Sequence, residues 1–198
     1  MDRYATKDPS TTEVIGVLEK KGLHEWYDWQ GDETCKQIVD ASTTYGKKIH
    51  SCVKEHIEIG HFSPPVEIDV WPAHKIVGWV TENHPEKPVL VDPEKGLYSK
   101  KYKFWGTPDF VGRFIADWKT DSTPKTKDQE RERLFKYGLQ LVAYAILYHE
   151  NYGIWVNEGW IVRANKKHDF LAIHYPDLKR YKKYFLELRR IYKCYRGK

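Results

Sequence analysis

The stretch FWGTPDFVGRFIADWK, residues 104–119, decides the predicted fold. It is rich in Phe, Trp, Val and Ile, and Gly112-Arg113 lies within it, a pattern typical of a β-hairpin. A turn centred there brings Asp109 within about one register step of Asp117. Because side chains alternate along a strand, Asp117 and Lys119 share one face. The hairpin therefore predicts a cluster of two carboxylates and one ammonium group.

Such a cluster has a chemical use. Carboxylates are hard oxygen ligands that suit Mg²⁺ or Mn²⁺. A bound ion can activate water and stabilise charge on a phosphoryl group, and Lys119 can orient the water and stabilise negative charge on the phosphate. The alternative interpretation is a surface hairpin that carries an ordinary Asp/Lys pair at positions i and i+2.

Two predicted helices carry further polar candidates. A helix over 131–150 places Gln140 and Tyr144, four residues apart, on one face, where they could bond a phosphate or a base edge or simply pack on the sheet. An upstream helix that runs towards Ile59 carries His50. It is either a core histidine or, if its face covers the acidic cluster, a metal ligand.

Four short motifs follow one another along the chain: GKKIH at 46–50, GTPD at 106–109, DWKT at 117–120 and LQLVAY at 139–144. In this order they resemble the RecB-type exonuclease branch of the PD-(D/E)XK nuclease superfamily. The mitochondrial genome maintenance exonucleases are the most similar group, and the chain looks like a phage or bacterial relative of them.

The resemblance implies a metal-dependent deoxyribonuclease. It would be an exonuclease that prefers single-stranded DNA ends, holds one or two Mg²⁺ or Mn²⁺ ions, and serves DNA replication, repair or recombination. The implied roles are metal ligation by His50, Asp109, Asp117 and the main-chain carbonyl of Trp118, catalysis by Asp109, Asp117 and Lys119, and substrate binding by Gln140, Tyr144 and Thr120.

The sequence also departs from the wider family. Its three cysteines form no Cys-x-x-Cys, so no iron–sulfur cluster is expected. Either Asp92 or Glu94 could supply a further acidic ligand, and the sequence does not choose between them. No Gly-x-x-x-x-Gly-Lys-Ser/Thr loop is present. Strand separation would therefore need a partner, such as a helicase, with a polymerase or a single-strand-binding protein as other possible partners.

Composition bounds the class of protein. With 198 residues, 40% hydrophobic and 31% charged, the chain is expected to form one globular domain over 1–198. No stretch approaches the roughly 20 apolar residues of a membrane span, and acidic residues in 1–14 argue against a targeting peptide. The cytoplasm of a bacterial or phage-infected cell is the expected location, with the mitochondrial matrix as the less favoured alternative.

Positive charge is concentrated at the end of the chain. The net charge is +5, and residues 179–198 are strongly basic, with Glu187 as their one acid. This helix either tracks DNA phosphates or docks on the core and exposes a solvated basic face. Among the many aromatic residues, Trp26, Trp29 and Trp105 are candidate platforms for base stacking.

The predicted architecture is an α/β fold: a mixed sheet in a restriction-endonuclease-like core, helices on both sides and an N-terminal helical arch. Its parts are a helical segment 1–62, broken by Pro64-Pro65, an αβ core 88–175 and a helix 177–196. The predicted strands are 88–93, 101–111, 113–119, 154–163 and 169–174. Other expectations are a first helix capped by Thr11 or Thr12 that stops at Gly22, a short helix 76–80 between Pro72 and Pro85, and a mobile loop 121–129.

Two rival functions remain open at this point. The first is a structure-selective DNA endonuclease on the same scaffold, which would also cut circular single strands. The second is a non-catalytic DNA-binding module, although the set of Asp109, Asp117 and Lys119 favours an enzyme.

Overall fold

The computed structural model describes residues 7–18, 32–60, 69–84, 96–121 and 126–196. Its helices are α1 (Thr11–Ile15), α2 (Asp32–Ile59), α3 (Trp71–Asn83), α4 (Lys127–Tyr152) and α5 (Lys179–Arg196). Its strands are β1 (Leu97–Ser99), β2 (Phe104–Gly106), β3 (Phe110–Val111), β4 (Ile115–Lys119), β5 (Gly159–Ala164) and β6 (Phe170–Tyr175).

The main sheet is mixed and has the strand order β3-β4-β5-β6. Strands β3 and β4 form the predicted antiparallel hairpin, in which Phe110 faces Ala116. Strand β4 then runs parallel to β5, and β5 runs antiparallel to β6. Parallel neighbours need a long crossover, which α4 provides, while β1 and β2 form a separate two-stranded sheet. The predicted α/β class with a mixed sheet is confirmed.

Each face of the main sheet packs against helices. On one face, Ala116 and Trp118 of β4 pack with residues of α2 and α3. On the other face, Ile115 packs with residues of α4, α1 and α5. The alternation along β4 thus separates Trp118 from Asp117 and Lys119, as its period of two requires. The helices predicted on both sides of the sheet are confirmed, and the N-terminal helical arch stays a prediction.

Helix α4 is the central helix of the molecule. It begins with a capping box, in which the side chain of Thr126 accepts from the main-chain N–H of Gln129, and it ends at Gly153 with a φ of 75°. Left-handed backbone at a helix C-terminus favours glycine. The run Tyr137–Tyr148 is buried throughout, because the sheet lies on one side of α4 and other helices on the opposite side. The predicted helix 131–150 is confirmed and extends further at both ends.

Several predicted boundaries are wrong, each for a local reason. The predicted strand 101–111 begins only at Phe104, because Lys103 adopts a φ of 56°. It is divided into β2 and β3 around Pro108, which lacks the main-chain donor that a continuous ladder needs. The predicted strand 154–163 begins only at Gly159. Strand β1, which pairs with β2, was not predicted.

The helix ends also differ from the predictions. The first helix is capped by Ser10 in a capping box with Glu13, rather than by Thr11 or Thr12, and it ends at Ile15 instead of continuing to Gly22. The short helix 76–80 is part of the longer α3, because Pro72 lies in its first turn, where proline is tolerated. The last helix lies where it was predicted.

Other predictions fall outside the described residues: the strand 88–93, Asp92, Glu94, Trp26, Trp29, Gly22, Pro64-Pro65 and residues 122–125 of the loop 121–129. The end of that predicted loop, residues 127–129, belongs to α4. The remaining stacking candidate, Trp105, is half-buried and donates a hydrogen bond to the main-chain oxygen of Asp8. Among the described helices, none is both long enough and apolar enough to cross a membrane.

Candidate active site

The end of β4 carries a tightly paired acid and base. Oδ2 of Asp117 lies 2.5 Å from Nζ of Lys119 in an ion pair. The Asp117 residue is only 3% exposed, whereas 24% of the Lys119 side chain is open to solvent. Because the two residues are separated by one position on a strand, both project towards α4. The sheet therefore delivers a buried carboxylate with an ammonium group at its rim.

Gln140 of α4 holds both members of this pair. Its Oε1 accepts a hydrogen bond from Nζ of Lys119 at 3.0 Å, and its Nε2 donates to Oδ1 of Asp117 at 2.9 Å. Nε2 also donates to the hydroxyl of Tyr144 at 2.8 Å. The amide is oriented by its neighbours, since its oxygen faces a cation and its NH₂ group faces an anion. Gln140 and Tyr144 thus lie on the same face of α4, towards the acid–base pair.

Asp109 directly precedes the β3–β4 hairpin and contacts both β4 and α2. Its Oδ2 accepts a hydrogen bond from the main-chain N–H of Trp118 at 2.8 Å. Its Oδ1 lies 2.9 Å from Nδ1 of His50 on α2. The structure therefore brings together His50, Asp109, Asp117 and Lys119 from three separate segments. It places the N–H of Trp118 on Asp109, while the indole ring lies in the core on the other face of the sheet.

The charges of these groups support one another. Burial lowers the pKa of His50, but the Asp109 carboxylate outweighs burial and raises that pKa above its ordinary value. Burial likewise lowers the pKa of Lys119, and Asp117 more than compensates, so the side chain remains an ammonium ion. Burial raises the pKa of Asp117 even though Lys119 opposes this effect. The cluster therefore favours the positively charged forms of His50 and Lys119 and disfavours the ionised form of Asp117.

A divalent cation fits the chemistry of this cluster. When His50 is neutral, the carboxylates of Asp109 and Asp117 carry more negative charge than the single ammonium of Lys119 balances. Over the ranges that the structure describes, no three His, Cys, Asp or Glu side chains already form a metal-binding arrangement. The carboxylates are oxygen ligands of the kind that Mg²⁺ and Mn²⁺ prefer, and binding would require them to leave some of their present partners.

Thr120 lies where α2 passes the end of β4. A Cβ atom on Gly46 of α2 would lie 3.3 Å from Oγ1 of Thr120. The glycine of the GKKIH motif therefore permits close approach of α2 to β4, four residues before His50. The roles assigned above to Thr120, Gln140 and Tyr144 in substrate binding stay predictions.

Sequence reasoning missed the groups that surround Lys119 on its open side. Nζ of Lys119 lies 5.5 Å from the centre of the Tyr137 ring, a distance at which a cation is attracted to an aromatic face. Beside them, Arg133 pairs with Asp121, and Arg163 of β5 pairs with Glu130. The spacing of Arg133 and Glu130 indicates only a helical ion pair, and nothing local in the sequence connects Arg163 to this network.

Gly106 offers a test of how closely the site is packed. A Cβ atom there would lie 2.5 Å from Oγ1 of Thr11 and 3.0 Å from Cε1 of Tyr144. We expect Gly106→Ala to displace one of these side chains and to lower the free energy of unfolding by about 1–3 kcal/mol. Chemical denaturation measures this change. A Gly60→Ala variant is not a matched control because Gly60 has a positive φ, whereas Gly78→Ala adds a Cβ atom that meets no described atom within 4 Å. Equal stability of Gly106→Ala and the parent chain would contradict the close packing.

Replacement of Gln140 distinguishes two roles for this residue, which are positioning of Asp117 and Lys119 and binding of substrate. Gln140→Leu keeps a similar volume but removes the hydrogen bonds to Asp117, Lys119 and Tyr144. If Gln140 positions the acid–base pair, kcat should fall by up to about 100-fold, since small misplacements of catalytic groups have effects of this size, and KM should change little. Steady-state kinetics on an oligonucleotide distinguishes the roles, because a rise in KM alone would indicate substrate binding instead.

The His50–Asp109 contact predicts a pH-dependent stability. The pKa of His50 is raised in the folded chain, so its stabilising effect is fully present below the ordinary value of about 6.5 and is lost as the pH rises through the folded-state pKa. We expect His50→Gln to destabilise the protein more at pH 6 than at pH 9. Urea unfolding of both chains at the two pH values measures the difference. An equal loss at both values would contradict this origin, and Asp109→Asn should abolish the dependence.

Comparisons with known proteins find similarity among solved structures. No protein-family model and no curated protein matches the chain. Among solved structures, the chain is similar to a phage related exonuclease from Haemophilus somnus 129PT. The two share 11% sequence identity and a TM-score of 0.44, and the match covers 96% of this chain and 94% of that one.

Proposed function

We propose that this protein is a metal-dependent deoxyribonuclease of the RecB-type branch and that it degrades DNA from single-stranded ends. The observation that carries the proposal is the convergence of Asp109, Asp117 and Lys119 beside His50, with Gln140 holding the acid and the base together. A buried carboxylate, a second carboxylate and a fixed ammonium group are suited to phosphodiester hydrolysis. The sequence motifs support the same assignment.

In this proposal the residues of the site have different roles in catalysis. When bound by Asp109, Asp117 and His50, Mg²⁺ or Mn²⁺ supplies positive charge and an activated water. Lys119 offers its ammonium group to the negative charge that develops on the phosphate. Gln140 keeps Lys119 and Asp117 in a fixed relation, so that little reorganisation is needed during the reaction.

The substrate would enter on the side of His50 and Lys119. The side chain of His50 is 35% exposed, and that of Lys119 is also partly open, whereas Asp117, Gln140 and Tyr144 are buried. Burial, followed by the charge of Asp117, raises the pKa of Tyr144 well above its ordinary value. The Tyr144 hydroxyl therefore keeps its proton at neutral pH and can donate a hydrogen bond.

The test is degradation of a 5′-labelled linear single strand beside a circular single strand, with Mg²⁺, Mn²⁺ or EDTA. The proposal predicts that only the linear strand is degraded, that EDTA stops the reaction and that products carry a 5′-phosphate. Cleavage of circles would indicate an endonuclease on the same scaffold. Binding of DNA without cleavage in any metal would overturn the catalytic assignment. Action in the cytoplasm beside a helicase, a polymerase or a single-strand-binding protein belongs to this proposal as its cellular setting.

A further inference from the structure

A patch of aromatic and basic side chains is exposed where α4 meets α5. We call it the α4–α5 surface, and it consists of Arg131, Phe135, Arg180, Lys183 and Tyr184. Phe135 is 37% exposed and Tyr184 is 46% exposed, although large aromatic rings are usually buried more fully. Their ring centres lie 5.6 Å apart, with one edge towards the other face. The two rings therefore form a continuous apolar area in contact with solvent.

The patch is held rigidly. A Cβ atom on Gly138 of α4 would lie 2.5 Å from the ring of Tyr181, so the two helices are in close contact there. Tyr181 also lies 5.9 Å from Phe135, between ring centres, and packs on Tyr175. Tyr181 thus supports Phe135 from below, and packing between α4 and α5 fixes the orientation of the exposed rings.

The cations of the α4–α5 surface differ from their basic neighbours. Lys136 pairs with Glu132, and Arg190 pairs with Glu187. In contrast, Arg131, Arg180 and Lys183 form no ion pair with a carboxylate of the described residues. Nζ of Lys183 instead lies 4.9 Å from the centre of the Tyr184 ring. Three positive charges therefore border two exposed rings, and none of the three has an acidic partner in the part of the chain that the structure describes.

This combination matches one class of ligand. Unpaired cations attract phosphates, and exposed rings stack with bases that are not already stacked in a duplex. We propose that the α4–α5 surface binds single-stranded nucleic acid, with Arg131, Arg180 and Lys183 along its phosphates and Phe135 and Tyr184 against its bases. The proposal rests on the proposed function, since it names where that substrate is held away from the site of cleavage.

The surface and the site belong to the same helix. Phe135 precedes Gln140 by five positions, which is roughly 7 Å along the axis of α4, and the two side chains lie on different sides of that helix. The surface therefore lies a little more than one helical turn from Gln140, on another side of α4.

The experiment measures binding of a fluorescein-labelled oligothymidylate to the full chain in EDTA, by anisotropy at several salt concentrations. Phe135→Ala/Tyr184→Ala removes the rings, and Arg180→Glu/Lys183→Glu reverses the cations. The matched control is Lys36→Glu/Lys100→Glu, which makes the same change in net charge at two exposed lysines outside the surface. We expect each surface variant to bind at least about tenfold more weakly, and the control to bind within about threefold of the parent chain.

Two further readouts sharpen the result. Reversal of the cations should also reduce the slope of log affinity against log salt by about 1.4, because each phosphate contact on a single strand contributes about 0.7. Removal of the rings should weaken binding of the single strand and leave binding of a blunt duplex unchanged. Parent-like affinity of both surface variants, an equal loss in the control, or absence of oligothymidylate binding by the parent chain would each overturn the proposal.

Cleavage assayed in parallel separates this proposal from the nuclease assignment. If the parent chain fails to cut with Mg²⁺ or Mn²⁺ while the surface variants still lose binding, the proposed function fails and the nucleic-acid surface stands. If the parent chain cuts and the variants bind normally, only the surface fails. Thermal melting checks that the variants fold, as expected for substitutions of exposed side chains.

Discussion

Asp117→Asn is expected to reduce the rate of DNA cleavage by at least about a thousandfold while the chain remains folded. The substitution keeps the shape of the side chain and leaves Oδ1 able to accept from Gln140. It removes the negative charge opposite Lys119 and the oxygen ligand that a divalent cation would use. The Lys119 ammonium also loses the carboxylate that opposes the effect of burial on its pKa. We therefore expect a measurable loss of stability, limited because part of the Lys119 side chain is open to solvent and because the buried Asp117 no longer carries a charge that burial disfavours.

The measurement is kcat/KM on a linear single-stranded substrate, together with thermal melting of the parent and variant chains. Asp40→Asn is the matched control, because Asp40 is an exposed residue of α2 and the change in charge is the same. Parent-like cleavage by Asp117→Asn would remove Asp117 from the catalytic assignment. A folded but inactive Asp40→Asn chain would show that loss of one negative charge at any position reduces cleavage. The effect of Asp117→Asn would then not be specific to the site.

Lys119→Met is the second substitution with a large expected effect. It keeps the length of the side chain and removes the ammonium group that contacts Asp117 and Gln140. Loss of a preorganised positive charge beside a reacting phosphate reduces kcat by about 100- to 1,000-fold in comparable sites. We expect KM to change much less, because the charge matters most when negative charge develops in the transition state.

Single-turnover kinetics with saturating enzyme tests this prediction, since it reports the chemical step apart from product release. Lys100→Met, an exposed lysine in the turn after β1, controls for the loss of one charge. If Lys119→Met lowers only the affinity for DNA, the lysine binds substrate and does not assist the chemical step. Because Asp117 and Lys119 act as a pair, the double variant should be only slightly less active than the less active of the two single variants.

The parts of the site that obey a local period could be predicted from sequence. Alternation along β4 places Asp117 and Lys119 together, and helical spacing places Gln140 and Tyr144 on one face of α4. Period alone could not show that these two faces meet, and the motif resemblance supplied that expectation. In the structure, Gln140 accepts a hydrogen bond from Lys119 and donates one to Asp117, and these bonds define the contact.

Local sequence patterns could not predict the long-range contacts of the site. His50 and Asp109 are separated by 59 positions, and the sequence left His50 between a core role and a ligand role. Arg163 reaches Glu130 only because β5 lies beside β4, a pairing that no periodicity specifies. The late start of β2 within the predicted strand 101–111 depended on the backbone angle at Lys103, which residue propensity does not reveal.

The parallel pairing of β4 with β5 has a consequence for the order of folding. Ile115 pairs with Gly159 only after the whole of α4 has been crossed, and His50 must close a still longer loop to reach Asp109. Non-local contacts of this kind form slowly, because the entropy of the loop is lost before the contact stabilises the chain. The hairpin β3–β4 and the helix α4 are local and can form early. We therefore expect refolding chains to recover helical circular dichroism before they recover the acid–base cluster, and nuclease activity to return last.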